Sequence, residues 1–180
     1  MTVPDATTPV TPTWRMMCSH PCHIISLGFG SGLSPIMPGT AGTLLGSILF
    51  HYLTLALPTV FTQLTWAVIT AIGFVLGCWT CHRTGIALRH PDHGAIVWDE
   101  VIGIWLVLLA VMPVTLSDEI MAFVFFRLFD MTKPPPIRQI DARVKGGVGV
   151  MLDDIAAALF AIPVLLAWNY VVPFFSGQPS

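Results

Sequence analysis

The stretch "AIVWDEVIGIWLVLLAVMPV", residues 95–114, sets two adjacent carboxylates, Asp99 and Glu100, at the lip of a run otherwise made of Val, Ile, Trp, Leu and Ala. A run of this length and apolarity is of the kind that spans a bilayer. A carboxylate beside such a segment is costly unless something neutralises it. The rest of the chain has to supply what makes two of them tolerable.

The surroundings are equally apolar. Hydrophobic residues make up 54% of the 180 residues and charged residues 10%, with a mean hydropathy of +0.77. Soluble domains average about a quarter charged residues, so this chain lacks the polar surface to cover itself in water. It reads as a single membrane-embedded domain over residues 16–173, with a disordered tail at 1–15 and a short tail at 174–180. The opening "MTVPDATTPVTPTW" has no positive region leading into an apolar core, so no cleavable signal is expected. A formal net charge of −2 excludes the basic surface that nucleic-acid binding needs.

The chain has four cysteines, in two short segments that each invite a metal or haem reading. "CSHPCHI" matches no zinc-finger spacing and has no second half. "CWTCH" has the C-x-x-C-H pattern of haem attachment, but that needs an exported segment, and the topology below puts it on the cytoplasmic side. The cysteines of "CWTCH", at the end of an apolar run, read better as packing residues.

Five apolar runs, at residues 41–57, 61–82, 96–114, 120–130 and 152–172, are separated by turn signals. Helix is favoured for all five because backbone exposed to lipid must satisfy its own hydrogen bonds. The second, third and fifth have the length of a full crossing, while the first and fourth are short. If all five cross, one face receives the N-terminal tail and the loops 28–42, 83–94 and 131–150. Arg15, Arg83, Arg89, Lys133, Arg138, Arg143 and Lys145 lie on that face, and Arg127 ends the helix leading to it. All eight cations on one side mark it as cytoplasmic.

The acids follow the same partition. Asp99 and Glu100 open the third run, Asp130 closes the fourth, and Asp153 and Asp154 open the fifth within "GGVGVMLDDIAAALFA". Helix-dipole complementarity accounts for acids at helix N-termini, but not for Asp130 at a C-terminus, nor for adjacent acid pairs beside apolar runs. Carboxylates clustered at a membrane surface repel unless a cation holds them, and oxygen donors suit Mg2+. Asp99, Glu100, Asp130, Asp153 and Asp154 are therefore the expected metal ligands.

Other segments on this face suit a phosphate. "GFGSGLSPIMPGTAGTLLG" (28–46) alternates glycine with small and hydroxyl residues before a helix and can offer backbone N–H groups to an anion, with Ser31, Gly32 and Thr40 as contacts. Close helix packing is the competing use of such glycines. "RLFDMTKPPPIRQIDARVKGG" carries Arg127, Lys133 and Arg138 near Asp130, with Lys133 stiffened by three prolines; Arg143 and Lys145 read as ordinary loop cations. "RHPDHGAIVWDE" adds Asp92 and His93 as candidates for proton transfer.

Four blocks, "GFGSGLSPIMPGTAGTL", "DHGAIVWDEVIG", "FRLFDMTKPPPIRQID" and "GGVGVMLDDIAAA", resemble those of bacterial phosphatidylglycerophosphatase A, in the same order and over about residues 24–165. The resemblance implies an all-helical, multi-pass inner-membrane enzyme with its site on the cytoplasmic face. It would use Mg2+ to convert phosphatidylglycerophosphate to phosphatidylglycerol in phospholipid biosynthesis. The family's acidic positions correspond to Asp92, Asp99, Glu100, Asp130, Asp153 and Asp154, and its Lys-Pro pair to Lys133 and Pro134. "KPPP" departs from the family pattern, where an aromatic is expected between two prolines.

The expectation is thus a bundle of about five apolar helices acting as a metal-dependent phosphomonoesterase. Asp99, Glu100, Asp130 and Asp154, with His93 or Asp92 moving protons, would be its catalytic groups. Water and a carboxylate are both compatible as nucleophile. The partners are the lipid substrate and the bilayer, and no oligomeric state is specified. The rival reading is a small Mg2+ transporter or binding protein, disfavoured because the acids gather at one face rather than at mid-membrane. The D-x-D, P-S-G-H and D-G-x-x-A-R motifs of other phosphoryl-transfer classes are absent.

Overall fold

The computed structural model describes residues 9–135 and 137–176, with the side chains of 140–142 and 172–176 outside the description. Most of the expected N-terminal tail (1–8) and the end of the C-terminal tail (177–180) also lie outside it. Every regular element among the described residues is helical. The helices are α1 (Trp14–Met17), α2 (Pro21–Ser26), α3 (Pro38–Ala56), α4 (Gln63–Ala87), α5 (Trp98–Ala110), α6 (Leu116–Thr132), α7 (Ile137–Arg143) and α8 (Gly147–Ser176), with a 3-10 turn at Gly28–Leu33.

Each of the five apolar runs falls on one of the longer helices, and local chemistry moves several boundaries. Pro38 opens α3, where its fixed φ suits the first helical position. Thr62 caps α4 by accepting from the Thr65 N–H. Thr115 and Asp118 cap α6 reciprocally: the Thr115 N–H donates to Asp118 Oδ2 (2.8 Å), and the Asp118 N–H donates to Thr115 Oγ1 (3.2 Å). This box draws Asp118 and Glu119, expected in a loop, into the first turn of α6. At the other end of the chain, α8 starts at Gly147, five residues before the apolar run. Thr13 likewise caps α1 within the segment expected to be a tail.

The shortest of the long helices is the most enclosed. Val101, Ile102, Ile104, Val107 and Leu108 of α5 are fully buried. A helix apolar on all sides belongs at the centre of a bundle, and α3, α4, α6 and α8 pack around it. Two indole N–H groups pin it to its neighbours. Trp105 Nε1 donates to the Gly46 carbonyl of α3 (2.9 Å), and Trp98 Nε1 donates to the Gly73 carbonyl of α4 (3.0 Å). Gly46 is required for this approach, because a Cβ there would lie 2.7 Å from Ile104 Cγ2 and 3.2 Å from Val101 Cα.

Among the described residues, two helices, Gln63–Ala87 and Gly147–Val171, are long and apolar enough to cross a membrane. Leu64, Val68, Ile72, Val75 and Trp79 recur at helical spacing along α4 and are all exposed.

Candidate active site at converging helix ends

Four helices bring their ends to one place: the starts of α3 and α5, the second turn of α8 and the end of α6. The start of α5 is set from outside. The Val97 N–H donates to the Ser26 carbonyl of α2 (2.9 Å) and the Ile96 N–H to the His93 carbonyl (2.7 Å), so the helix begins just before the acid pair. Asp99 and Glu100 therefore occupy its first turn. Asp153 and Asp154 lie beyond the first turn of α8, because that helix starts at Gly147. Helix-dipole complementarity consequently does not account for them, which corrects one of the sequence-based readings.

One carboxylate oxygen from each of Asp99, Glu100 and Asp154 lies within 4.8 Å of the others. Asp99 and Asp154 are buried. At 4.8 Å and an effective dielectric near ~20, two like charges repel by about 3 kcal/mol. Arg127 offsets part of this. Its Nη1 lies 3.9 Å from Glu100 Oε1, and it is ion-paired with Asp130. Asp130 in turn adds its own charge beside Glu100 and Asp154. Lys133 is ion-paired with Asp153. These two cations against five carboxylates leave the cluster strongly negative.

Asp99 Oδ1, Glu100 Oε2 and Asp154 Oδ2 are buried oxygens with no hydrogen-bond partner among the described residues. Buried acceptors left this way are costly. An all-oxygen, anionic donor set with open lone pairs fits a hard divalent cation.

The cluster sorts the five expected ligands. Asp99, Glu100 and Asp154 form the compact group, Asp130 stands at its edge on Arg127, and Asp153 turns to Lys133. Asp153 is held by its ion pair with Lys133, whereas Asp99 and Glu100, equally adjacent in the chain, both reach the centre.

The phosphate candidates divide as well. Thr40 lies at the start of α3 with its Oγ1 buried and lacking a partner, and Arg127 Nε is in the same condition. The loop before them is committed elsewhere. Ser31 Oγ donates to the Gly28 carbonyl (2.9 Å), and the Gly30 and Gly32 N–H groups both donate to the Leu27 carbonyl. Gly32 packs on the Ala95 carbonyl rather than facing the acids. Arg138 is exposed on α7 and Asp92 is exposed before α5. His93 accepts from the Ala95 N–H at Nδ1 (3.2 Å). Burial, reinforced by His90 and opposed by Asp92, holds its imidazole below the ordinary histidine range.

Gly39 is the position that residue chemistry missed. A Cβ there would run into the Glu100 carboxylate and lie 3.2 Å from Arg127 Nη1. The signal was present in "PGT", a glycine directly after the helix-opening proline.

Comparison with known proteins bears on this arrangement. The phosphatidylglycerophosphatase A family model matches residues 24–169. The chain belongs to the phosphatidylglycerophosphatase A family. It is 44% identical to the phosphatidylglycerophosphatase A of Escherichia coli strain K12 over 84% of this chain and 85% of that one. It is 39% identical to the Haemophilus influenzae protein of the same name, over 88% of this chain and 95% of that one. A Bacteroides thetaiotaomicron protein whose provisional name is phosphatidylinositol-3-phosphatase is 38% identical over 83% of this chain and 94% of its own length. No solved structure matches the chain. Membership in the phosphatidylglycerophosphatase A family makes this chain a phosphatase acting on a phosphate monoester.

Proposed function

We infer that this chain is a Mg2+-dependent phosphatase of phospholipid biosynthesis, hydrolysing phosphatidylglycerophosphate to phosphatidylglycerol and phosphate at the cytoplasmic surface of the bacterial inner membrane. The observation that carries the reading is the trio Asp99, Glu100 and Asp154, its two aspartates buried, with one oxygen from each residue within 4.8 Å of the others and one buried oxygen on each lacking a hydrogen-bond partner among the described residues, in a chain matched to this family over most of its length.

Asp99, Glu100 and Asp154 would hold the ion, with Asp130 beside them. When bound, it supplies charge neutralisation at the phosphoryl group and acidifies water. Arg127 is anchored by Asp130 and keeps its Nε free to donate to a phosphate oxygen. Lys133, oriented by Asp153, offers a second cation at the same rim. The Thr40 hydroxyl would provide a neutral donor. His93, neutral near pH 7, would accept a proton at Nδ1 by releasing the Ala95 N–H, and the leaving glycerol oxygen takes one up as the P–O bond breaks.

Helix direction supports a multi-pass arrangement. The starts of α3, α5 and α8 and the end of α6 share one end of the bundle, as alternating crossings require. The eight Lys and Arg belong to segments at that end. The outward apolar stripe on α4 adds to the two long apolar helices as support for a bilayer. A water-requiring site then lies at the membrane surface, where the acyl chains of the substrate stay in lipid.

The test is purified protein with phosphatidylglycerophosphate, with and without chelator, followed by inorganic phosphate release. Phosphatidylinositol 3-phosphate is run in parallel because of the Bacteroides relative. Release from the glycerol lipid that stops on chelation and returns with Mg2+ is expected. Release from the inositol lipid alone would replace the substrate.

A further inference from the structure

We propose that the groove between α3 and α6 seats one acyl chain of a diacyl phosphomonoester substrate whose phosphate lies at the Arg127 end, an inference that rests on the phosphatase reading above. The groove has a volume of ≈ 360 Å³. Leu44, Ile48 and Tyr52 of α3 face Leu116, Ile120 and Val124 of α6 across it. All six are exposed.

The two lining rows of the groove run toward the acidic cluster. Stepping four residues back from Leu44 reaches Thr40, and stepping three forward from Val124 reaches Arg127, so both lining rows end on the polar rim of the site. Thr40 Oγ1 and Arg127 Nε are the buried, unpartnered groups already described there. Gly39 lets the Glu100 carboxylate and Arg127 come close to the start of α3, since a Cβ would run into the carboxylate and lie 3.2 Å from Arg127 Nη1. At the other end His51 Nδ1 meets Glu119 Oε1 at 2.9 Å, closing the apolar channel with a polar pair.

Size selects the occupant. From Thr40 to Tyr52 the helix advances about 18 Å, close to the roughly 15 Å depth of one leaflet of hydrocarbon. A partner helix of that length and ~10 Å diameter would fill about 1,400 Å3, several times the space available. An alkyl chain descending from a headgroup at Arg127 has both the right length and the right slenderness.

The experiment compares long-chain dioleoyl with short-chain dihexanoyl phosphatidylglycerophosphate on the whole protein and on Ser47→Trp, which fills the groove. Val75→Trp on the outward face of α4 is the control. Ser47→Trp should raise KM for the long-chain lipid about tenfold with kcat kept, as expected for lost burial of a few methylenes, and change the short-chain KM by less than about twofold. The control should match the unaltered protein. Equal effects on both lipids, or none on the long-chain lipid, would overturn the groove. Should the unaltered protein release no phosphate from either lipid, the phosphatase reading fails, and a second readout tests the groove alone. Phosphatidate carrying a diazirine in one acyl chain is photolysed in vesicles with the unaltered protein. Label concentrated on 44–52 and 116–124 is expected; label spread evenly over the exposed face of α4, or protein–protein adducts through these segments, overturns it.

Discussion

Asp99, Glu100 and Asp154 are placed alike but reach one point from two helices, so each should be separately indispensable. Asp99→Asn, Glu100→Gln and Asp154→Asn are each expected to lower phosphate release by about a hundredfold or more, the scale of losing a metal ligand. Asp153→Asn should cost less, because Asp153 serves Lys133. Lys133→Ala should raise KM more than it lowers kcat; the reverse pattern in steady-state kinetics would remove its phosphate role. His93 adds a pH signature. Burial and His90 hold it low, so it is neutral near pH 7 and charges only as the pH falls. As a proton acceptor it should set the acid limb of the rate profile, which His93→Gln should abolish. His23, lowered by burial, then by His20 and Arg83, shares the stability consequence. For both, the unfolded chain takes up the proton first. Their contribution to stability is intact above the ordinary histidine range and is lost as the pH falls through that range toward the lowered values. Thermal unfolding in detergent across pH 5–8 reads this, and a smaller loss of stability toward acid pH is expected for the His23→Asn, His93→Asn double variant than for the unaltered protein.

At the level of helices, close approach and capping carry the arrangement. Gly46→Val should destabilise by about 1–3 kcal/mol, because the added atoms meet Ile104 and the α5 backbone. Thr115→Ala should cost about 1 kcal/mol through loss of the α6 cap. Both are measured by unfolding in detergent, and the second should leave KM unchanged. These features also show what the sequence could disclose. Apolar runs located all five long helices, since each run must hide its backbone polar groups. The starts of α6 and α8 were misplaced because capping chemistry at Thr115 and a glycine-led turn at Gly147 extend helix beyond the apolar residues. That shift turned Asp153 and Asp154 from first-turn acids into interior ones.

On the scale of the whole bundle, the sequence sets its acids at the ends of separate apolar runs, and the packing of those helices brings oxygens of Asp99, Glu100 and Asp154 together. What spacing along the chain could not disclose was the division of labour within an adjacent pair, or the commitment of the Ser31–Gly32 segment to Leu27 and Ala95. Both depend on contacts between helices distant in sequence. The proposed five-crossing topology predicts a labelling pattern. With Cys18 replaced by Ser, Lys145→Cys should react with an impermeant thiol reagent only from the cytoplasmic side of inner-membrane vesicles, and Ser117→Cys only from the other. Labelling of both from one side would break the five-crossing arrangement.

The indole rings of Trp66, Trp105 and Trp98 form a continuous chain, with centroids 5.2 Å apart for the first pair and 5.8 Å for the second. Trp98 directly precedes Asp99 in the chain. Excitation captured anywhere along this row can migrate to a chromophore seated one peptide bond from the carboxylate trio. Intrinsic emission should therefore register occupancy of the acidic cluster by a divalent ion, giving an optical titration that needs no added dye and no substrate.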